Sequence, residues 1–515
     1  MARINTNIPS VIAQANLSRN QGELNLRLER LSTGLRINRG ADDPAGLIIS
    51  ERIRSDINGV QQGIKNSDRA SSVISTTEAS LAEVNDLLNS IRSLIVESAN
   101  TGAVSIEERA ANQLQIDSAI DSITRISNTA TFGGLRLLDG TLDYRLSGVD
   151  TSDVSTASVR NASLVQGNPL QVSIDVLASA QKGALYVNGD NPGALTDGVL
   201  ASSMTLEIKG PLGVQELSFT SNTSLTDVVA AVNSINQFTG VEAALVVPGQ
   251  PLSGMVLRTT EYGSNNFVSV RRISKPTTGD SFQTARLADT AAFTGTVPWG
   301  SLQTADSDRG RDVTALVNGA LATGNGLELT VNSPSLGAAI RLSESAGTNP
   351  SAAITPFYVT GGGALFQLGP SVTALQQTNF GIPSVAASRL GGTPTSVGIE
   401  FLNSLRTGGR NSIEKAVSRG NDFAPAEGIL RASIDEVTEL RGRLGAFERN
   451  VLDTNVRSLQ SQFENLTASE SQIRDADFAA ETSKLTRAQI LVSAGTSTLS
   501  LANQQSQQVL QLLQG

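Results

Sequence analysis

The sequence predicts an α+β multidomain protein in which N- and C-terminal helices pair as an antiparallel coiled-coil bundle and a β-rich variable domain is inserted between them. Three observations carry this prediction. Of the 16 prolines, only Pro9 and Pro44 fall outside the stretch from Pro169 to Pro425, so the residue that breaks helices is confined to the middle. Both ends carry apolar residues at alternating spacings of three and four, the mark of a helical seam. The middle instead sets short alternating runs between Gly-, Thr- and Ser-rich turns, which is a strand pattern. At 515 residues the chain is too long for one core. The shifts in pattern divide it into segments 1–45, 46–142, 143–426, 427–475 and 476–515, with room for two subdomains in the third.

In the first segment, about residues 10–34 and the residue after it, the side chains Leu17, Leu24, Leu28, Leu31 and Leu35 follow spacings of seven, four, three and four, a heptad seam. The loop through Gly40 interrupts it. Asp43 then supplies an N-cap with Pro44 at the first helical position. The helix that follows puts Ile74, Leu81, Val84, Leu88, Ile91 and Ile95 on one stripe and ends near residues 100–102. Ser105 and Glu108 form a capping box that opens a third helix reaching about Ile126. Residues 132–142, with Gly133-Gly134 and Asp139-Gly140, read as a short hairpin. The other end resumes from about Glu427 with Leu440, Leu444, Phe447 and Val451, continuing through Leu452, Val456, Leu459, Phe463, Leu466 and Ile473. The last helix is the most regular, with Leu485, Ala488, Val492, Gly495, Leu499, Ala502, Ser506, Val509 and Leu513 on one stripe. Matching seams at two ends predict that the chain folds back on itself with its termini side by side.

Composition removes whole classes of chemistry. There is no His and no Cys, so the commonest general base, the commonest metal ligands and the usual thiol nucleophile are missing. The expectation is a protein with no catalytic residues, no bound metal and no cofactor. A formal charge of -9 with dispersed basic residues disfavours nucleic acid and anionic membranes as partners. No window of 18 apolar residues is present, so no membrane insertion is expected. The first residues lack the apolar stretch and cleavage site of a secretory signal peptide.

One anomaly points to assembly. From Ala488 to Gly515 no residue is charged, although Gln, Ser, Thr and Asn abound. A solvated helix normally carries Lys or Glu on its outer face. A neutral polar face packs against protein without stripping water from charges, whose burial is costly. A helical hairpin covers each stripe on one side only, leaving Leu491, Leu501, Leu510 and Leu512 wet in a monomer. Full burial of such a side chain contributes roughly 1.5 to 3 kcal/mol. Contacts of this kind, repeated head to tail without closing, give a helical filament.

The terminal runs MARINTNIPSVIAQANLSRNQ, LERLSTGLRINRGADDPAGLIISERI and SQIRDADFAAETSKLTRAQILVSAGTSTLSLANQQSQQVLQLLQG resemble bacterial flagellin. The resemblance spans about residues 1–142 and 427–515, two distant blocks in the right order. It implies a subunit that self-assembles into the helical flagellar filament for swimming motility. Segments 1–45 and 476–515 would then be the inner-core helices, 46–142 and 427–475 the two halves of a helical wall, and 143–426 a surface-exposed variable region. The polymerisation seam would comprise Leu17, Leu24, Leu28, Leu31 and Leu35 with Leu485, Ala488, Val492, Leu499, Ala502, Val509 and Leu513. The implied partners are other flagellin copies, an export chaperone, and cap and hook-junction proteins. The implied location is extracellular, in the filament, reached through the flagellar type III apparatus without a cleaved signal peptide. A family helix read by an innate immune receptor of animals aligns with residues 89–96, where Arg92 and Leu94 match the recognised pattern. Ser90 and Gln115 depart from it.

Within the variable region, residues 206–209, 215–219, 224–235 and 241–247 read as ββαβ, a module at about 203–247 that resembles small repeats inserted in some flagellins and hook proteins. Further strands are expected around 170–176, 327–331 and 338–342. Two other architectures of this kind are a hook-filament junction protein and a surface adhesin; the intact LSTGLRINRGADDPAGL block together with the AQILVSAGTSTLSLANQ tail looks like a filament subunit and not the former.

Overall fold

Caps set the helix boundaries before any packing does. In the computed structural model of the protein, the Asn7 side chain accepts from the Ser10 amide at 3.2 Å and opens α1 (Ile8–Thr33). Asp43 Oδ1 accepts from the Gly46 amide at 2.9 Å at the head of α2 (Pro44–Ala99). Ser105 and Glu108 bond reciprocally at 3.1 and 2.8 Å to open α3 (Ile106–Thr129). In the middle lie α4 (Leu225–Ser234) and the short α5 (Asn236–Thr239), α6 (Glu344–Gly347) and α7 (Ile413–Ser418). The C-terminal end comprises α8 (Ala424–Phe447), a π-helical turn (Glu448–Leu452), α9 (Asp453–Arg474) and α10 (Phe478–Gln514). The described residues are 7–162, 164, 168–187, 198–200, 202–274, 282–287, 302–333, 335–350, 353–395 and 398–514, without the side chains of 394, 395 and 506–514.

The chain divides into two compact units. The first holds Met1–Asp86, Phe366–Thr378 and Ile434–Gly515. In it α1 and α10 run antiparallel: the Asn7 side chain donates to the Ala502 carbonyl at 3.0 Å near one end, and Arg27 meets Glu481 at 3.0 Å near the other. Below that pair the chain segments are laced by backbone bonds, Arg36 N to the Arg474 carbonyl at 2.7 Å and Ala476 N to the Gly34 carbonyl at 2.9 Å. The first part of α2 buries Val60, Val73, Ile74, Leu81 and Val84 beside α8 and α9, which bury Leu440, Leu444 and Leu459. Polar contacts fix their register, with Ser71 bonded to Glu448 and Asn455 Nδ2 donating to Ser67 Oγ at 3.1 Å. Residues 366–378 belong to this helical unit, whereas the sequence pattern groups them with the variable region.

The second unit is Leu87–Leu365 with Asn379–Ser433. Its helical part buries Leu88, Ile91 and Ile95 of α2 and Ile116, Ile120 and Ile123 of α3. Asp117 ties α3 to the 402–413 stretch, accepting from the Thr407 amide at 2.9 Å. Two β-rich cores follow. One carries a six-stranded sheet in the order Val154–Ala162, Leu336–Leu342, Glu328–Asn332, Ala320–Asn325, Thr314–Val317, Ile174–Ala178, together with a three-stranded sheet. Phe357, Leu329, Ile340 and Val313 are fully buried there. The other core gathers Leu206, Ile208, Leu225, Val228, Val241 and Leu257.

The ββαβ order appears in the second core as Met204–Lys209, Val214–Phe219, α4 and Val241–Leu245. It is not one sheet, however. The first two strands pair with each other in a four-stranded sheet, while Val241–Leu245 lies at the edge of a five-stranded one, paired with Met255–Thr259. The sequence locates the strands because alternation is local. Which sheet receives them depends on distant partners.

Candidate assembly surface

The pairing of α1 and α10 follows from small residues placed opposite large ones. Ala13, Ala488 and Ala502 are buried, and Gly495 sits so close to α1 that a Cβ there would meet Leu17 Cδ1 at 3.2 Å. Leu17, Leu24 and Leu31 on α1, Leu35 just beyond it, and Leu485, Val492 and Leu499 on α10 are half-buried. The structure therefore brings Leu17, Leu24, Leu31, Leu485, Ala488, Val492, Leu499 and Ala502 to one intramolecular seam, while Leu35 lies beyond its end, bridged to Asp475. Leu28 departs from the expected set: at 47% exposure it lies off the seam. A 3.6-residue turn has carried the position round, since Leu24 and Leu31 already fill that face. The side chains of Val509 and Leu513 lie outside the described residues.

A charged cluster that the apolar pattern conceals fixes the axial register. Glu481 takes the position one turn before Leu485 and is 4% exposed. Arg27 reaches it at 3.0 Å, Lys484 at 3.2 Å and Arg30 at 3.6 Å. Burial alone pushes the Glu481 carboxyl up, but the hydrogen bonds from Arg27 and Lys484 outweigh it and hold the group below its ordinary value. A carboxylate inside an otherwise apolar four-three repeat is a signal the sequence does contain.

The opposite face of each helix remains apolar and uncovered. On α1, Ile8, Val11 and Ile12 are 47%, 58% and 56% exposed. On α10, Ile490 and Leu501 are 63% and 59% exposed. Their separation of 11 residues is three helical turns, so they share a face. Leu491 is partly exposed and Phe478 largely so. Each half-exposed side chain holds back on the order of 1 kcal/mol of burial. Seven such residues together therefore reach the lower part of the roughly 4–15 kcal/mol that association costs. Leu491 and Leu501 are legible as wet in a hairpin; Ile8, Val11, Ile12 and Ile490 are not, although a search for a second stripe at the same period finds them.

The residues aligned with the family's receptor-read helix lie elsewhere. Arg92 is exposed and pairs with Glu427 of α8 at 3.1 Å, while Leu94 is half-buried. Among the described residues no group of three His, Cys, Asp or Glu is placed to hold a metal ion. No described helix is long and apolar enough to cross a membrane.

Comparison with known proteins places the chain in a family. The family model for the bacterial flagellin N-terminal helical region matches residues 4–143, and that for the C-terminal helical region matches residues 428–513. Flagellin from Salmonella rubislaw is 28% identical over 524 residues, covering 99% of both chains. Flagellin from Escherichia coli K12 is 31% identical over 523 residues, again covering 99% of both. Among solved structures, FliC from Burkholderia pseudomallei overlaps 74% of this chain and 99% of that one at 13% identity and a TM-score of 0.24, too loosely to bear on the fold. With both terminal regions matched in order and 31% identity sustained from end to end, the chain belongs to the bacterial flagellin family and is a structural subunit of the flagellar filament.

Proposed function

We propose that the uncovered face of the α1–α10 pair is the surface through which subunits polymerise, and that the pair forms the inner layer of the filament. One observation carries this reading: a helical pair whose seam is already filled still exposes Ile8, Val11, Ile12, Ile490 and Leu501 on its other side. Water-exposed stripes of this size on helices with no charge between Ala488 and Gly515 are matched by burial against further copies. The seam and the outer stripe then have separate tasks. The seam makes the hairpin; the stripe makes the polymer.

The same reading assigns the helical wall to α2, α3, α8 and α9 and outward projection to the β-rich cores. It includes export of the unfolded chain through the flagellar type III apparatus, with a chaperone on the way and with cap and hook-junction proteins at the filament's ends. Absence of cysteine suits threading, because no disulfide has to be avoided. It also assigns no catalysis to the chain, in keeping with the lack of His and Cys.

Salt-induced polymerisation of purified Leu501→Asp tests the assembly face. The variant is expected to stay soluble after centrifugation while its helical circular dichroism matches the parent. Polymer yield equal to the parent's would remove the stripe from the interface.

A further inference from the structure

Residues 366–378 leave the variable region of the sequence and pack on the helical unit instead. The Phe366 ring lies 6.0 Å from that of Phe447 at the end of α8. Leu368 is buried, and its carbonyl accepts from Asn455 Nδ2 of α9 at 3.0 Å. The bed for this strap is made of glycine. A Cβ at Gly63 of α2 would lie 2.9 Å from the Leu368 carbonyl oxygen, and one at Gly59 would lie 3.0 Å from Pro370 Cβ.

The tip of the strap is held from within. Gln367 Nε2 donates to the carbonyls of Gly369 and Ser371 at 2.9 and 2.8 Å. Gln376 accepts from the Ser371 amide through its side chain at 2.5 Å and from the Leu368 amide through its carbonyl at 2.9 Å. Upon this frame stand Val372 at 86% and Leu375 at 98% exposure, the two most exposed large apolar side chains among the described residues. The 13 residues from Phe366 to Thr378 include no charged side chain, the same property that marks the uncharged tail of α10. An ordered, neutral loop that spends its hydrogen bonds on presenting two apolar side chains to water has the chemistry of a knob awaiting a hole.

We infer that the strap is an intersubunit knob: Val372 and Leu375 insert against the exposed Ile48 and Ile49 at the start of α2 in a neighbouring copy of this chain. The inference deepens the assembly reading and rests on it. A second copy is the occupant because the strap belongs to the unit that carries the polymerisation face, and because the receiving patch is apolar, Ile48 and Ile49 being 59% and 50% exposed. Knob and patch are also distinct. About 11 residues of α2 separate Ile48 from Gly59 under the strap, roughly 16 Å of helix. A patch that differs from its complement makes a heterologous contact, which propagates from copy to copy and does not close into a dimer, as a filament requires.

The absence of cysteine makes the test direct. Filaments of the double variant Leu375→Cys with Ile49→Cys, oxidised after assembly, are expected to give a ladder of cross-linked oligomers under denaturing conditions. Oxidised monomers, and filaments of either single variant, are expected to give none. In a second arm Leu375→Asp is expected to raise the critical concentration for polymerisation about tenfold, which corresponds to 1.4 kcal/mol per contact, with monomer melting unchanged. Filaments that form at the parental concentration with Leu375→Asp would overturn the knob. A rise in critical concentration without a ladder would overturn Ile48 and Ile49 as its receiver. If the unsubstituted chain itself fails to polymerise, the underlying assembly reading falls, and that outcome is distinct from both.

Discussion

Along α1 a single residue of 26, Ala13, is buried by the rest of the chain. In the strand Met204–Lys209, by contrast, Met204, Leu206 and Ile208 are at 2% exposure or less, and the intervening positions face outward. Both segments are rich in aliphatic side chains, yet one finishes its burial within the chain and the other does not. The inserted region needs only itself: its two cores close around Phe357 and Ile340 in one case and Leu257 and Val241 in the other. The terminal pair fills a seam with alanines and half-buried leucines, then leaves a second stripe in water. On the assembly reading proposed above, folding and polymerisation draw on different surfaces of the same helices, and ordering of the ends would be coupled to the concentration of other subunits.

The largest effect should come from attacking the stripe without touching the seam. A carboxylate at Ile490, as in Ile490→Asp, would be buried without a partner at every repeat of the polymer, at a cost of several kcal/mol per subunit. Sedimentation after salt addition is expected to show no filament, and the melting of the inserted region is expected to be unchanged. Equal melting and equal pelleting would erase the distinction between the two surfaces.

The complementary change is Leu257→Ala in the second β core, where the side chain is fully buried. Loss of its packing is expected to cost about 2–5 kcal/mol of stability in that region. Filaments should nevertheless form, which electron microscopy of the assembled variant would show. Loss of assembly here would mean that the inserted region and the terminal pair are not independent.

A smaller effect lies inside the seam and depends on pH. The Glu481 carboxyl is held below its ordinary 4.5, so the folded state favours the ionised form. Its contribution is fully present above about that value and disappears as pH falls through the lowered one. Thermal melting of the helical unit is therefore expected to drop between pH 4.5 and lower values, while Glu481→Gln shows a flatter profile. At neutral pH the variant is expected to lose about 2 kcal/mol, the scale of a hydrogen bond to a charged group. An unaltered acid profile would mean that other carboxylates carry the pH response.

What the sequence discloses divides along the same line. The caps at Asp43 and Ser105, the seams and most strands are legible because each depends on residues within one or two turns of itself. Glu481 and Ile490 sit in local periodicities too, but they occupy the positions that a search for a single apolar stripe discards. The strap at 366–378 is of another kind. Nothing in its composition says that Leu368 will rest on Gly63 some 300 residues earlier, because that contact is decided by tertiary packing. The π-helical turn at Glu448–Leu452 is equally silent, since neither Gly nor Pro marks it. Local chemistry writes the elements, and distant partners choose their neighbours.

The smallest expected effect concerns Arg92, which belongs to neither an assembly stripe nor a closed core. Its guanidinium pairs with Glu427 at 3.1 Å, but the two side chains are 52% and 38% exposed. Water and salt screen such a pair, and its net contribution falls under about 1 kcal/mol. Arg92→Ala should therefore melt within experimental error of the parent at physiological ionic strength, and with the same profile at high salt. Stability that is indifferent to Arg92 frees the residue for recognition: a receptor assay comparing Arg92→Ala with the parent would then report contact alone. A loss of 2 kcal/mol or more would place Arg92 in the structural framework, and reduced signalling by the variant could no longer be read as a lost contact.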